Sequence, residues 1–283
     1  MKILIIGSSK SKESKSIKEA ALKRDHQAEV IPLSHLVFGG QKELEIKKID
    51  GQNIDSFDAV IFRAISRHVV EANIVAKYLK EKGKKVIDSG LFNQTYQYHK
   101  FLMHTRLWQD QVPQPPTYFP LKKASLNKIT EEIEPPFIVK HIKEMRGRSV
   151  FRFDSKEEVI NFFNKKGLIG NYLIQKWYPS KKYFRTIVLG NQVLGAIERL
   201  SLKCKNRPHI PLSERSKKTN LTPELEEISI KAAKATSIDF GGLDIMPDED
   251  NNLRIIEINR SPQFRRFTKE TNVNVADKII DFL

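Results

Sequence analysis

The chain has 283 residues, 40% of them hydrophobic, and carries 49 Lys and Arg against 34 Asp and Glu, a formal charge of +15. That length buries cores for two or three domains without staples. The single cysteine, Cys204, excludes a disulfide framework and a Cys-rich zinc site, and no stretch approaches a membrane span or a cleavable leader, so a soluble cytoplasmic protein is expected. The charge implies attraction to a polyanion, whether nucleic acid, an acidic protein or a phosphorylated ligand, and does not by itself choose among them.

The first residues, KILII at 2–6, form a short apolar run ending in Gly7-Ser8-Ser9, which predicts a buried parallel strand and a phosphate-sized turn. A helix is expected from about Ser14 to Lys23, then strands at AEVIPL and FDAVIFR, a helix from Val69 to Lys82, and a strand KKVID closing at Ser89-Gly90. The alternation of strand and helix predicts a doubly wound α/β layer. Gly7 lacks the G-x-G-x-x-G pattern, so a dinucleotide site is not expected.

A helix from about Asn93 to Gln109 carries Lys100 and is broken by VPQPPTYF, whose prolines cannot continue it. PPFIVKHI reads as a strand and EMRGRSVFRF as a turn after it. SKEEVINFFNKKG is a helix with Ser155 as N-cap, Glu158 three residues on and Gly167 behind its end. YLIQKWY is a strand, and FRTIVLGNQVLGAIER is a hairpin around Gly190-Asn191. Thr222 to Thr236 is a helix capped at Thr222, with Pro223 as its first residue. There is no internal repeat.

GGLDIMPDEDNNLRIIEIN at 241–259 predicts a second hairpin, its turn marked by the Pro, Asp and Asn of 247–252. Period-two side chains put Glu257 and Asn259 on one face, and pairing with the strand of Asp244 can bring the three oxygen donors together. Such a set suits Mg²⁺ bound to phosphate oxygens. A solvated hairpin face is the alternative, but carboxylates inside apolar runs are costly to bury without a metal or partner. Lys140, between Val139 and His141 with Ile138 and Ile142 nearby, poses the same question. It is either a lysine reaching out from an edge strand or a phosphate ligand beside Arg146-Gly147-Arg148-Ser149, a small turn able to close over a polyphosphate.

A helix lysine, a strand lysine, a glycine-containing loop, a strand ending in a hinge, a hairpin with a basic residue and Asp…Glu-x-Asn, followed by SPQF, together resemble the ATP-grasp superfamily, most closely the RimK-like carboxylate–amine ligases, over essentially the whole chain. The resemblance implies an α/β fold, a Rossmann-like N-terminal domain (1–92) followed by a two-lobed α+β ATP-grasp fold (93–174 and 175–283). It implies ATP and Mg²⁺ as cofactors, with two ions expected and Mn²⁺ as a substitute. Lys100 and Lys140 match the two ATP lysines, with His99 where the family has Asp. Arg146, Gly147, Arg148 and Ser149 match the phosphate loop, which keeps a single glycine. Gln175, Lys176, Trp177 and Tyr178 match the adenine hinge, with Lys176 where Glu is common. Arg185 and Arg199 match catalytic basic residues, Asp244, Glu257 and Asn259 the metal ligands, and Arg207 and Ser261 the substrate end. Gln263 stands where glycine usually follows Ser-Pro.

The implied reaction joins a carboxylate to an amine through an acylphosphate and needs no nucleophilic side chain, consistent with seven scattered histidines read as surface or polar-contact residues. The positive charge suits an acidic peptide, carrier or protein tail as one substrate. The rival readings are a small-molecule ligase of the D-alanine–D-alanine or glutathione synthetase kind, a degenerate nucleotide-binding scaffold, and a nucleic-acid-binding protein. The last is disfavoured because basic residues run through all segments. Self-association is left open.

Overall fold

The run KILII shows no polar alternation because both of its faces are covered. In the computed structural model, which describes residues 1–63, 65, 68–93, 99–143, 149–167, 169–180, 182–200 and 216–283, β1 (Lys2–Ile6) lies inside a parallel sheet. The other strands of that sheet are β2 (Gln27–Ile31), β5 (Ala59–Phe62) and β6 (Lys85–Ile87), in the order β2-β1-β5-β6. Between β2 and β5 the chain makes a small hairpin, β3 (Leu36–Gly39) and β4 (Glu45–Lys48). Ile3 and Ile5 share a core with α1 (Lys12–Leu22), while Leu4 and Ile6 share another with α2 (Val69–Glu81). Helix α1 starts two residues before the expected Ser14 because Ser11 caps it, accepting from the Ser14 N–H at 3.3 Å. After β6, Asp88 caps the four-residue α3 (Ser89–Phe92).

The helix expected from Asn93 begins at Lys100: α4 spans Lys100–Gln109, and residues 94–98 lie outside the described residues. His99 is extended at φ −151°, and the Lys100 N–H donates to the Ile142 carbonyl at 3.0 Å, so the helix start is pinned by the neighbouring sheet. That sheet holds β7 (Thr117–Tyr118), β8 (Phe137–His141), β9 (Val150–Phe153) and β10 (Tyr172–Lys176) in the order β7-β10-β8-β9. Helices α5 (Ala124–Glu132) and α6 (Lys156–Lys166) cover the face of Phe137, Val139 and Ile174. The end of EMRGRSVFRF is therefore strand rather than turn. Helix α6 has the expected boundaries: Ser155 Oγ accepts from the Glu158 N–H at 3.2 Å, and Gly167 closes it at φ +67°, where a side chain would be strained.

The third sheet has the order β13-β12-β11-β14-β15, from β11 (Lys182–Leu189), β12 (Gln192–Leu200), β13 (Ser216–Thr219), β14 (Phe240–Pro247) and β15 (Leu253–Asn259). Both expected hairpins are present. Asp248 organises the turn of the second, Oδ1 accepting from the Asp250 and Asn252 N–H groups at 3.0 and 2.8 Å. One face of this sheet packs Val188, Leu243, Ile245 and Ile255 on α7 (Pro223–Ala235), which Thr222 caps as expected. The opposite face is divided. Its Ile187, Leu189 and Ile197 join the core of β1 and α1, together with α8 (Arg265–Thr271) and α9 (Val275–Phe282), and its other end is polar. Helix α9 is strapped to α1 by Arg24, which pairs with Asp277 and Asp281, each at 2.9 Å. The expected boundary at 174/175 falls inside β10, all of which belongs to the central sheet. Among the described residues no helix is long and apolar enough to cross a membrane.

Candidate active site

Register builds the polar end of the third sheet. Arg185 stands opposite Asp244, and Asp244 opposite Glu257, so three charged side chains from three adjacent strands share one face. Asn259, two residues beyond Glu257 and opposite Gly242, extends the row. A bulge aims Glu257. Asp244 is opposite Glu257 but Ile245 is opposite Ile255, which leaves Ile256 as the extra residue. Ile258 joins Leu243 and Ile245 under α7 as the alternation predicts, whereas Ile256 turns to the other side and packs with Tyr178, Tyr183 and Met246.

Arg185 is buried and grips Asp244 with two parallel bonds, Nε–Oδ1 and Nη2–Oδ2, both 2.6 Å. Gly242 makes the room: a Cβ there would sit 2.6 Å from Arg185 Nη1 and 2.7 Å from Pro262. Burial pulls the Arg185 guanidinium down, but the charge and hydrogen bonds of Asp244, with the charge of Glu257, more than offset it and the net displacement is upward. Arg199 lies opposite Tyr183. The Tyr183 phenol is pushed up to about 12, first by burial and then by Asp244, against the pull of Arg199.

The central sheet supplies the facing charges. Lys140 is buried in β8, an interior strand between β10 and β9, so it is not a lysine escaping from an edge. Burial lowers its ammonium to about 8; Glu257 raises it, Lys100 lowers it and Asp244 raises it. The ammonium thus sits in the field of both carboxylates of the third sheet and of the helix lysine. Lys100 Nζ donates to the His141 carbonyl at 3.0 Å. Ser149 leads into β9 and its carbonyl accepts from the His141 N–H at 3.0 Å. Arg146, Gly147 and Arg148 lie outside the described residues, as does Arg207.

Along the expected hinge, the N–H groups of Lys176 and Trp177 already donate to the Pro116 and Pro136 carbonyls, each at 3.0 Å. Gln175 is 1% exposed and its side chain points into a buried polar network, away from solvent. The Arg152 guanidinium lies 4.1 Å above the Trp177 ring. Lys176 Nζ is 3.9 Å from Glu249, and Tyr178 is buried. Ser261 is exposed, but the segment around it is fixed: Arg63 Nη2 donates to the Pro262 carbonyl at 2.7 Å, and Arg260 pairs with Asp88 at 2.5 Å. Burial lowers the Arg63 guanidinium to about 10. Arg63, Asp88 and Arg260 are absent from the sequence-based site. The available signal was a charged residue ending each of two apolar strands, FDAVIFR and KKVID.

A family model for the RimK-like ATP-grasp domain matches residues 97–283, which contain Lys100, Lys140, Arg185, Asp244, Glu257 and Asn259 but not Arg63 or Asp88. The chain belongs to the RimK-like ATP-grasp family. Membership makes it an ATP-dependent carbon–nitrogen ligase, and ATP-grasp ligases use ATP and Mg²⁺. A relative named "Probable alpha-L-glutamate ligase" from Legionella pneumophila (strain Corby) is 24% identical over all of this chain and 95% of its own length. Among solved structures, the ATP-grasp ligase PsnB complexed with precursor peptide PsnA2 and AMPPNP has a TM-score of 0.75 at 18% identity, covering 99% of this chain and 96% of that one. The D-cycloserine synthetase DcsG has a TM-score of 0.73 at 14% identity, covering 100% and 98%.

The donors of this RimK-like site fit Mg²⁺ in chemistry: two carboxylates and an amide oxygen, all hard ligands, on one strand pair. Among the described residues no group of three or more His, Cys, Asp and Glu could hold a metal by itself. The set therefore suits an ion whose remaining positions are filled by phosphate oxygens or water.

Proposed function

We propose that this chain is an ATP- and Mg²⁺-dependent carboxylate–amine ligase that activates a carboxylate as an acylphosphate and forms an amide bond, adding an amino acid to, or otherwise modifying, an acidic peptide, carrier or protein tail. One observation carries this reading: Lys100 and Lys140 of the central unit share an electrostatic cluster with Asp244 and Glu257 of the third sheet. In the proposed arrangement ATP lies between the central unit, which begins near residue 93 and includes β10, and the C-terminal unit that follows it to residue 283. Asp244, Glu257 and Asn259 hold Mg²⁺, which when bound neutralises phosphate charge, and the cleft takes two such ions. Lys100, Lys140 and the loop 146–149 bind the phosphates, while Gln175 to Tyr178 back the adenine. Arg185 and Arg199 stabilise charge on the transferring phosphoryl group, with Arg207 and Ser261 on the substrate side.

The carboxylate attacks the γ-phosphorus and ADP leaves; the amine then attacks the acyl carbon and phosphate leaves. The charge of +15 favours encounter with an acidic acceptor. The glutamate-ligase name of the relative and the precursor peptide bound to PsnB support a peptide or amino-acid substrate. The test supplies Mg·ATP with amino acids and with acidic or neutral peptides, and reads nucleotide products and acceptor mass. Release of ADP and phosphate with a mass change on an acidic acceptor is expected. Formation of AMP, or turnover with free small molecules alone, would contradict the proposal.

A further inference from the structure

His104 is 1% exposed, the most buried histidine among the described residues of 97–283, and stands one turn beyond Lys100 on the same face of α4. Its Nδ1 lies 2.5 Å from Gln114 Oε1, and Gln114 Nε2 donates to the His104 carbonyl at 2.9 Å. The amide of Gln114 is thereby oriented, its oxygen faces the ring, and only an N–H on Nδ1 can meet it. Nε2 must then accept, and it does so from Gln175 Nε2 at 3.1 Å. The second hydrogen of that amide goes to Thr117 Oγ1 at 2.7 Å, and the Thr117 hydroxyl donates to the Pro115 carbonyl at 2.8 Å. Every donor meets an acceptor in one direction along the chain. Burial, with the nearby charges of Lys140 and Lys100 and against the Gln114 bond, lowers the imidazole to about 3, so it stays neutral.

The network joins the helix that carries Lys100, the proline segment 113–116, β7 and the last turn of side chains on β10. We propose that His104 is a positioning residue for the nucleotide: its neutral, Nδ1-protonated ring locks Gln175, and so holds the strand entering the 175–178 segment at a fixed distance from the lysine helix. This rests on the reading that ATP lies between those elements. Histidine is suited to the task because one ring offers a donor and an acceptor on opposite edges.

Two substitutions separate positioning from packing. In His104→Asn the amide nitrogen takes the place of Nδ1 and keeps Gln114, leaving Gln175 without its acceptor. In His104→Gln the side-chain oxygen reaches the place of Nε2 and keeps Gln175, leaving Gln114 unpaired. Each loses one buried bond, so both should melt lower by similar amounts. Calorimetric titration with Mg²⁺ and a non-hydrolysable ATP analogue should show binding weakened about tenfold in His104→Asn and within about twofold of wild type in His104→Gln, the scale of one buried group left unsatisfied. Equal weakening in both variants, or none in either, overturns the proposal. Wild-type protein that binds no analogue overturns the nucleotide reading itself and this inference with it. In ¹⁵N-histidine-labelled wild-type protein, an Nδ1–H, bare-Nε2 signature unchanged from pH 6 to 8 is expected; the opposite tautomer, or titration in that range, also overturns it.

Discussion

Lys140 and Arg185 are cations buried to the same degree, 7% and 8% exposed, each inside an antiparallel strand, yet burial leaves them in opposite states. The Arg185 guanidinium is displaced upward because Asp244 meets it with two short bonds, which more than offset burial; the Lys140 ammonium falls to about 8 because burial outweighs carboxylates that act only through space, and Lys100 opposes them. Arg185 is a closed charge, satisfied inside its own sheet. Lys140 is an open one, whose desolvation an incoming anion would offset. A polyphosphate arriving from the cleft side meets one cation whose Nε and Nη2 are held by Asp244, so that it acts through its charge, and another whose desolvation the phosphate itself would offset.

The largest expected effect comes from the carboxylate that sits between the two. Glu257→Gln keeps the size and one oxygen but loses the charge that would hold Mg²⁺. Turnover should vanish while the melting temperature stays near wild type, and retained turnover or an unfolded variant would remove Glu257 from the ligand set. Breaking the closed pair should appear as lost stability in addition to lost turnover. Arg185→Met leaves the part-buried Asp244 without its partner and should destabilise the fold by about 3 kcal/mol in denaturant unfolding; a loss near zero would mean that the pair is solvated.

The smallest effect concerns the open charge and pH. Phosphate binding favours the charged form of Lys140, so affinity for Mg·ATP should be full below the lowered value of about 8 and decline above it. Between pH 7 and 9 the dissociation constant should rise about tenfold, with net proton uptake on binding near pH 8 measured by calorimetry in buffers of different ionisation enthalpy. No uptake, or affinity that improves as pH rises, would contradict an open Lys140.

The contrast between closed and open charges also marks what the chain reveals before folding. Ser155 with Gly167, Thr222 with Pro223, and the Pro247–Asn252 turn are local chemistry, and the elements they delimit are where the sequence places them. The pairing of Asp244 with Glu257 follows from hairpin register, also a local property. Three features were out of reach because they depend on distant partners or on one extra residue. Arg63 finds Pro262, and Arg260 finds Asp88, across most of the chain. The start of α4 is set by the Ile142 carbonyl rather than by its own residues. The bulge at Ile256 is invisible in an apolar run whose alternation continues on either side of it. Helix α9 was legible in principle, since Val275, Ala276, Ile279 and Ile280 form one apolar face, but its eight residues offer little period to detect.

The most direct test of a nucleotide cleft built on Lys140 is a pair of melting curves with and without saturating Mg²⁺ and a non-hydrolysable ATP analogue, for wild type and Lys140→Met. Ligand at about 100 times its dissociation constant stabilises the folded state by about 2.7 kcal/mol, a shift of about 5–10 °C for a chain of this size. Wild type should shift by that amount. Lys140→Met, relieved of a buried ammonium, should melt no lower than wild type without ligand and shift little with it. Equal shifts in the two proteins, or no shift in wild type, would contradict the account.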